Sequence, residues 1–113
     1  MTQMAADPAI RAECGKRPVL VVTSDAINRQ PLAVSVVVGT DAANVVRDYP
    51  TNVRVTAKET GLPKDTVFLC FQLRSLDSSR FRDSNGTAAE PAGNLSASRI
   101  AEVEQALRLV LAL

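Results

Sequence analysis

Large apolar side chains fall in four short runs separated by polar, Pro- and Gly-bearing segments, and a final stretch then changes period. The first run, Pro18-Val19-Leu20-Val21-Val22 within residues 17–24, is β-branched and unbroken. That predicts a strand covered on both faces. After the polar residues 25–30, Pro31 hands over to a second valine-rich run ending at Val38, and Gly39-Thr40-Asp41 punctuates its end, so the two runs predict neighbouring antiparallel strands. Residues 51–57 alternate Val53 and Val55 with Asn52, Arg54 and Thr56, the period of a strand with one dry face. A turn over Gly61 to Asp65 leads into Thr66 to Leu73, where Val67, Phe68, Leu69, Cys70 and Phe71 are continuously apolar. Such a run predicts a fourth strand with both faces covered.

After Arg74-Ser75-Leu76-Asp77 a short turn or helix carrying Arg80 is expected, and residues 82–94, which lack large apolar side chains, predict a flexible loop or a widened hairpin. From Ser98 to Leu113 the period becomes 3.6: Ile100, Val103, Leu107 and Val110 share one helical face, and Glu104 precedes Arg108 by a turn. Ser96 or Ser98 can cap this helix. Leu109, Leu111 and Leu113 widen its apolar surface beyond what one sheet needs, which predicts that a partner subunit covers the excess.

The 113 residues suit a single domain, 1–113. Thirteen basic against twelve acidic side chains leave a formal charge of +1, so a nucleic-acid partner would need a local basic groove. Cys14 and Cys70 have no ligand spacing, and Cys70 lies in an apolar run, the setting of a buried reduced thiol. The first residues lack a cationic start with an apolar core, and no run approaches the ~18 apolar residues of a membrane span. The expectation is a soluble, cytoplasmic protein without membrane contact.

The chain has no histidine, which removes Ser-His and Cys-His nucleophile systems, and no metal-ligand cluster or phosphate-loop pattern is present. No metal or cofactor is expected. What remains is a binding protein, or an enzyme whose substrate supplies the nucleophile. RNA does so with its 2′-hydroxyl, provided the protein stabilises charge developing on the adjacent phosphate. Arg17 opens one strand-like run and Thr40 closes the next, which makes them the first candidates. Taken alone, an arginine ahead of a strand is a solvated cap and a Gly-Thr pair is a turn.

The succession Arg17-Pro18-Val19-Leu20-Val21-Val22, then Asn28, Gly39-Thr40, Gly61-Leu62-Pro63-Lys64-Asp65-Thr66-Val67 and Gln72-Leu73-Arg74-Ser75-Leu76-Asp77 resembles the MazF/PemK endoribonuclease toxins. Leu95-Ser96 and Glu102 to Leu107 continue the likeness. It implies a mainly β fold with a C-terminal helix (98–113): an SH3-like, partly open β-barrel that forms a homodimer and accepts single-stranded RNA in a groove. The resemblance further implies a metal-independent endoribonuclease that leaves a cyclic phosphate and a 5′-hydroxyl, arrests translation, and is held in check by a MazE-like antitoxin. Arg17 matches the family's catalytic arginine and Thr40 its catalytic threonine. Glu13 stands four residues before Arg17, where the family's glutamate stands five before, and is the nearest carboxylate in sequence. Gln72, Arg74 and Ser75 match a segment that faces RNA, and Asn28 and Arg29 fall in a loop within reach of it. Tyr49, with Arg47, either stacks a base or braces a loop.

The family begins with an apolar strand, for which residues 1–6 are too short and polar, so residues 1–12 read as an atypical or truncated N-terminus. A barrel lacking its first strand would leave unpaired backbone groups on its neighbour. That leaves open a catalytically weakened relative that only binds antitoxin or RNA. A CcdB-like gyrase poison shares the fold, but the terminal tryptophan segment such a protein uses has no counterpart in a chain without tryptophan.

Overall fold

The computed structural model describes residues 10–12, 18–24, 33–76 and 93–113. Its elements are β1 (Ile10–Ala12), β2 (Pro18–Val21), β3 (Val34–Asp41), a 3₁₀ turn (Ala42–Asn44), β4 (Asn52–Val55), α1 (Ala57–Thr60), β5 (Thr66–Leu76) and α2 (Ala97–Leu111). The strands form one antiparallel sheet in the order β1-β2-β3-β5-β4. Its two edges, β1 and β4, do not pair with each other, so the barrel is open.

Side-chain parity divides the sheet into two faces. On one, Leu20, Val37, Val53, Val55, Phe68 and Cys70 form a buried cluster with Val103 and Ala106 of α2. Ile100, Leu107 and Val110 pack on its margin, so the helical face read from the sequence is the one that docks. On the other, Val19, Val21, Val34, Val36 and Val38 pack with Leu76. The valine runs are unbroken because both faces of β2 and β3 are dry.

The expectation of a bare barrel edge is corrected. Ile10, Arg11 and Ala12 pair with Leu20, Val19 and Pro18, and Ile10 is fully buried in the helix-side cluster. Three residues suffice because one side chain anchors them and Gly93 bridges to Ile10 from the C-terminal segment. Within the expected 82–94 loop, residues 82–92 lie outside the described residues, but Gly93 is buried and the Asn94 N–H donates to the Thr60 carbonyl at 2.9 Å. Those last two positions are fastened rather than flexible.

Three other expectations change. β3 runs through Gly39-Thr40-Asp41, which pair with Phe68, Val67 and Thr66, instead of turning there. β5 continues past Leu73 to Leu76, and the turn or helix expected around Arg80 lies outside the described residues. Burial on both faces holds only for its first half: Phe71 is 52% and Leu73 37% exposed. The cause is a register break. Val38 pairs with Leu69 but Val37 pairs with Leu73, which leaves Cys70, Phe71 and Gln72 to bulge from the ladder and bends the strand away from the core.

A one-turn helix, α1, was not foreseen, though Thr56-Ala57-Lys58-Glu59 carries the capping-box spacing. Thr56 Oγ1 accepts from the Glu59 N–H at 3.1 Å, and Glu59 accepts from the Thr56 N–H at 2.9 Å. Gly61 closes the turn at φ 81°, a left-handed conformation suited to glycine.

Candidate active site at the end of β3

Thr40 is half-buried at the penultimate position of β3. It continues the parity of Val34, Val36 and Val38, so its side chain belongs to the face opposite α2. The register places Val67 opposite Thr40 and Arg54 opposite Val67. Directly opposed residues share a face. Thr40, Val67 and Arg54 therefore form a row across three strands, and two strand spacings put Arg54 ~10 Å from Thr40.

Next to Thr40 the backbone is tightly enclosed. A Cβ on Gly39 would lie 2.9 Å from Thr66 Cγ2, 3.0 Å from Phe68 Cε1 and 3.1 Å from Pro18 Cγ. The Pro18 ring thus reaches the residue that precedes Thr40, as expected from the β2–β3 register of Val19 with Val38 and Leu20 with Val37. Arg17 and Glu13 lie outside the described residues, as do Asn28 and Arg29.

The remaining sequence candidates sit farther along β5. Arg74 is exposed opposite Val36, which gives it the face of Thr40, four β3 positions or ~13 Å away. Ser75 is opposite Ser35, one residue on, and so belongs to the other face. Gln72 is within the bulge, half-buried and without a ladder partner. The structure brings Arg74 onto the Thr40 face and separates Ser75 from it.

Carboxylates near this end of the sheet are already engaged. Asp41 Oδ1 accepts from the Ala43 N–H at 2.9 Å, and Lys64 Nζ lies 3.3 Å from Asp41 Oδ2. The Ala43 N–H first, and Lys64 second, hold the Asp41 carboxyl below its ordinary range. Its parity also sends it to the face away from Thr40. Asp65 Oδ1 accepts from the Ala57 N–H at 2.7 Å. Asp48 Oδ1 takes Arg54 Nη2 at 2.9 Å and Nε at 3.2 Å. Cys70 is no nucleophile here, since burial pushes its thiol up to about 12 and keeps it protonated. Among the described residues, no group of three His, Cys, Asp or Glu side chains could hold a metal ion.

Sequence reasoning treated Arg54 only as the wet side of an alternating strand. Its position opposite Val67, and through it on the row of Thr40, depends on strand order and register, which the alternating pattern does not encode. Asn52, opposite Leu69 on the same face, carries a buried Oδ1 with no donor among the described residues.

A family model for the PemK-like, MazF-like toxins of type II toxin-antitoxin systems matches residues 2–111. The chain belongs to this family. It is 35% identical over 99 residues to the endoribonuclease MazF of Staphylococcus epidermidis, covering 88% of this chain and 76% of that protein. With endoribonuclease MazF9 of Mycobacterium tuberculosis it shares 30% identity over 113 residues, 96% of this chain and 90% of the other. The fold matches that of MazE-MazF from Deinococcus radiodurans with a TM-score of 0.70 and 26% identity, covering 100% of this chain and 99% of that one. The open sheet with its C-terminal helix is therefore the MazF fold. Among the described residues, no helix is long and apolar enough to cross a membrane.

Proposed function

We propose that this MazF-family chain is an endoribonuclease toxin that cuts single-stranded RNA through its own 2′-hydroxyl, with Arg17 and Thr40 at the scissile phosphate. The observation that carries the reading is the contact of Pro18 with Gly39. Arg17 directly precedes Pro18 in the sequence and Thr40 directly follows Gly39.

The chemistry follows from the side chains. The 2′-oxygen attacks the adjacent phosphorus, the bond from phosphorus to the 5′-oxygen breaks, and a 2′,3′-cyclic phosphate and a 5′-hydroxyl result. The guanidinium of Arg17 clamps two phosphate oxygens with parallel donors, and the Thr40 hydroxyl donates to an oxygen gaining charge. A base must take the proton of the 2′-hydroxyl and an acid must protonate the departing 5′-oxygen. Arginine stays protonated at any ordinary pH and is a poor base. Asp41, Asp48 and Asp65 are engaged as described, which leaves Glu13 as the candidate base in sequence.

Arg74 and Gln72 extend the RNA path along β5, and Asn28 and Arg29 complete the proposed contacts, with Ser75 left out because it belongs to the other face. The likeness to MazE-MazF from Deinococcus radiodurans supports a MazE-like antitoxin as partner. Leu109, Leu111 and Leu113 are 53%, 48% and 72% exposed at the end of α2, in keeping with a homodimer that covers them. The test is incubation with RNA in excess EDTA. Cyclic-phosphate ends made by the native chain and abolished in Arg17→Ala and Thr40→Val support the assignment, and unchanged cleavage by either variant refutes it for that residue.

A further inference from the structure

The segment between β3 and β4 leaves the sheet immediately after Thr40 and carries a cation, Arg47, and the chain's only tyrosine, Tyr49. Both ends are tied. At the start, the Asp41 carboxylate caps the 3₁₀ turn and the Ala42 N–H donates to the Asp65 carbonyl at 2.9 Å. At the end, the Asn52 N–H donates to the Tyr49 carbonyl at 2.9 Å and the Cys70 N–H to the Thr51 carbonyl at 2.9 Å. The middle has one further anchor. Arg54 reaches out from β4 with Nη2 3.2 Å from the Val45 carbonyl, while Nη2 and Nε both donate to Asp48.

One guanidinium therefore grips both sides of Val46-Arg47, and it does so on the face that carries Thr40. Val46 is 94% and Tyr49 54% exposed, so the segment's own burial does little to order it. Among the described residues, Arg47 has no carboxylate partner, and its charge is available to an anion. Held down by Arg54, which shares the Thr40 row, the segment offers a ring to stack on a base and a cation for a neighbouring phosphate.

We propose that Arg54 is a positioning residue: by gripping Val45 and Asp48 it holds the segment bearing Arg47 and Tyr49 at the β4 edge of the face that carries Thr40, as a contact for the RNA strand. The inference rests on the endoribonuclease reading above and deepens it. An exposed ion pair contributes little to folding, so the consequence of losing it is local disorder of the segment and not loss of the fold.

The chain offers its own probe. With one tyrosine and no tryptophan, its intrinsic emission comes from Tyr49 alone. A short mixed-sequence 2′-O-methyl RNA, which binds but has no free 2′-hydroxyl, is expected to change that emission in the native protein. Arg54→Gln and Asp48→Asn are expected to raise acrylamide quenching of Tyr49 and to raise KM for RNA about tenfold, a 1.4 kcal/mol loss of binding, with kcat within about twofold. The conservative variant Arg54→Lys, which keeps a cationic donor for Asp48 and the Val45 carbonyl, is expected to recover part of both effects. The inference is overturned if the native protein cleaves RNA but the oligonucleotide leaves Tyr49 unperturbed, if KM is unmoved in both single variants, or if the loss lies in kcat alone. Absence of cleavage by the native protein overturns the endoribonuclease reading itself, and this inference with it.

Discussion

At Gly39 the backbone of β3 meets Pro18, Thr66 and Phe68 so closely that a methyl group has no room. The glycine had read as the punctuation of a valine run, which it would be in an ordinary turn. Its actual role comes from neighbours on two other strands, and those are distant in sequence. Gly39→Ala is expected to lower stability by about 1–3 kcal/mol through overpacking, seen as a lower urea midpoint at unchanged slope. Since Gly39 joins the Pro18 contact to Thr40, the same variant is expected to reduce cleavage more than stability alone explains. Thr40 itself was legible from the resemblance, and the structure adds its face. Arg54 was not legible as part of a site, because its alternation with Val53 and Val55 reports only that it is wet. What it faces is decided by β4 lying next to β5.

Among the elements, the three inner runs were readable because unbroken valine stretches leave few alternatives to a buried strand. β1 was not, since a three-residue strand carries too little pattern and a single apolar residue, Ile10, secures it. Ile10→Ala is expected to cost about 2–5 kcal/mol in chemical denaturation, as for other buried isoleucines, whereas a cost near zero would show the edge to be incidental. The bulge in β5 also escaped the sequence: the run TVFLCF is apolar throughout, yet the ladder breaks after Leu69 and Phe71 turns outward.

The capping box of α1 was present in the letters and links two elements. Glu59, already bound to Thr56, accepts from Arg99 Nε of α2 at 2.8 Å, and Arg99 Nη1 reaches Glu102 at 2.9 Å. Arg99 first, and the Thr56 N–H second, lower the Glu59 pKa from 4.5 to about 2. The stabilisation is complete above pH about 4.5 and is lost as pH falls toward 2, because the folded state resists protonation that the unfolded chain accepts. Urea midpoints measured across this range are expected to fall less steeply in Glu59→Gln than in the native chain. An identical acid limb would show that the α1–α2 tie carries no ionic contribution.

Across the whole molecule, the sheet keeps α2 on one face and leaves Thr40, Arg54 and Arg74 together on the other. The site proposed for cleavage therefore lies on the face opposite the helix, on strand ends and one adjoining segment. The sequence suggests β2 and β3 as antiparallel neighbours, and their register bears this out, while Arg17 lies outside the described residues. Leu109, Leu111 and Leu113, read as an apolar surplus beyond the docking face, are exposed in a single chain, and that exposure is the feature a second copy would remove.

The central claim is that Arg17 and Thr40 act on one RNA phosphate without a metal. The most direct measurement incubates native protein, Arg17→Ala and Thr40→Val with a long RNA in excess EDTA and maps the new ends. The account expects 2′,3′-cyclic phosphate and 5′-hydroxyl ends from the native protein, with cleavage by each folded variant reduced at least about a hundredfold. Cleavage that requires a divalent ion, or that persists unchanged in both folded variants, would contradict it.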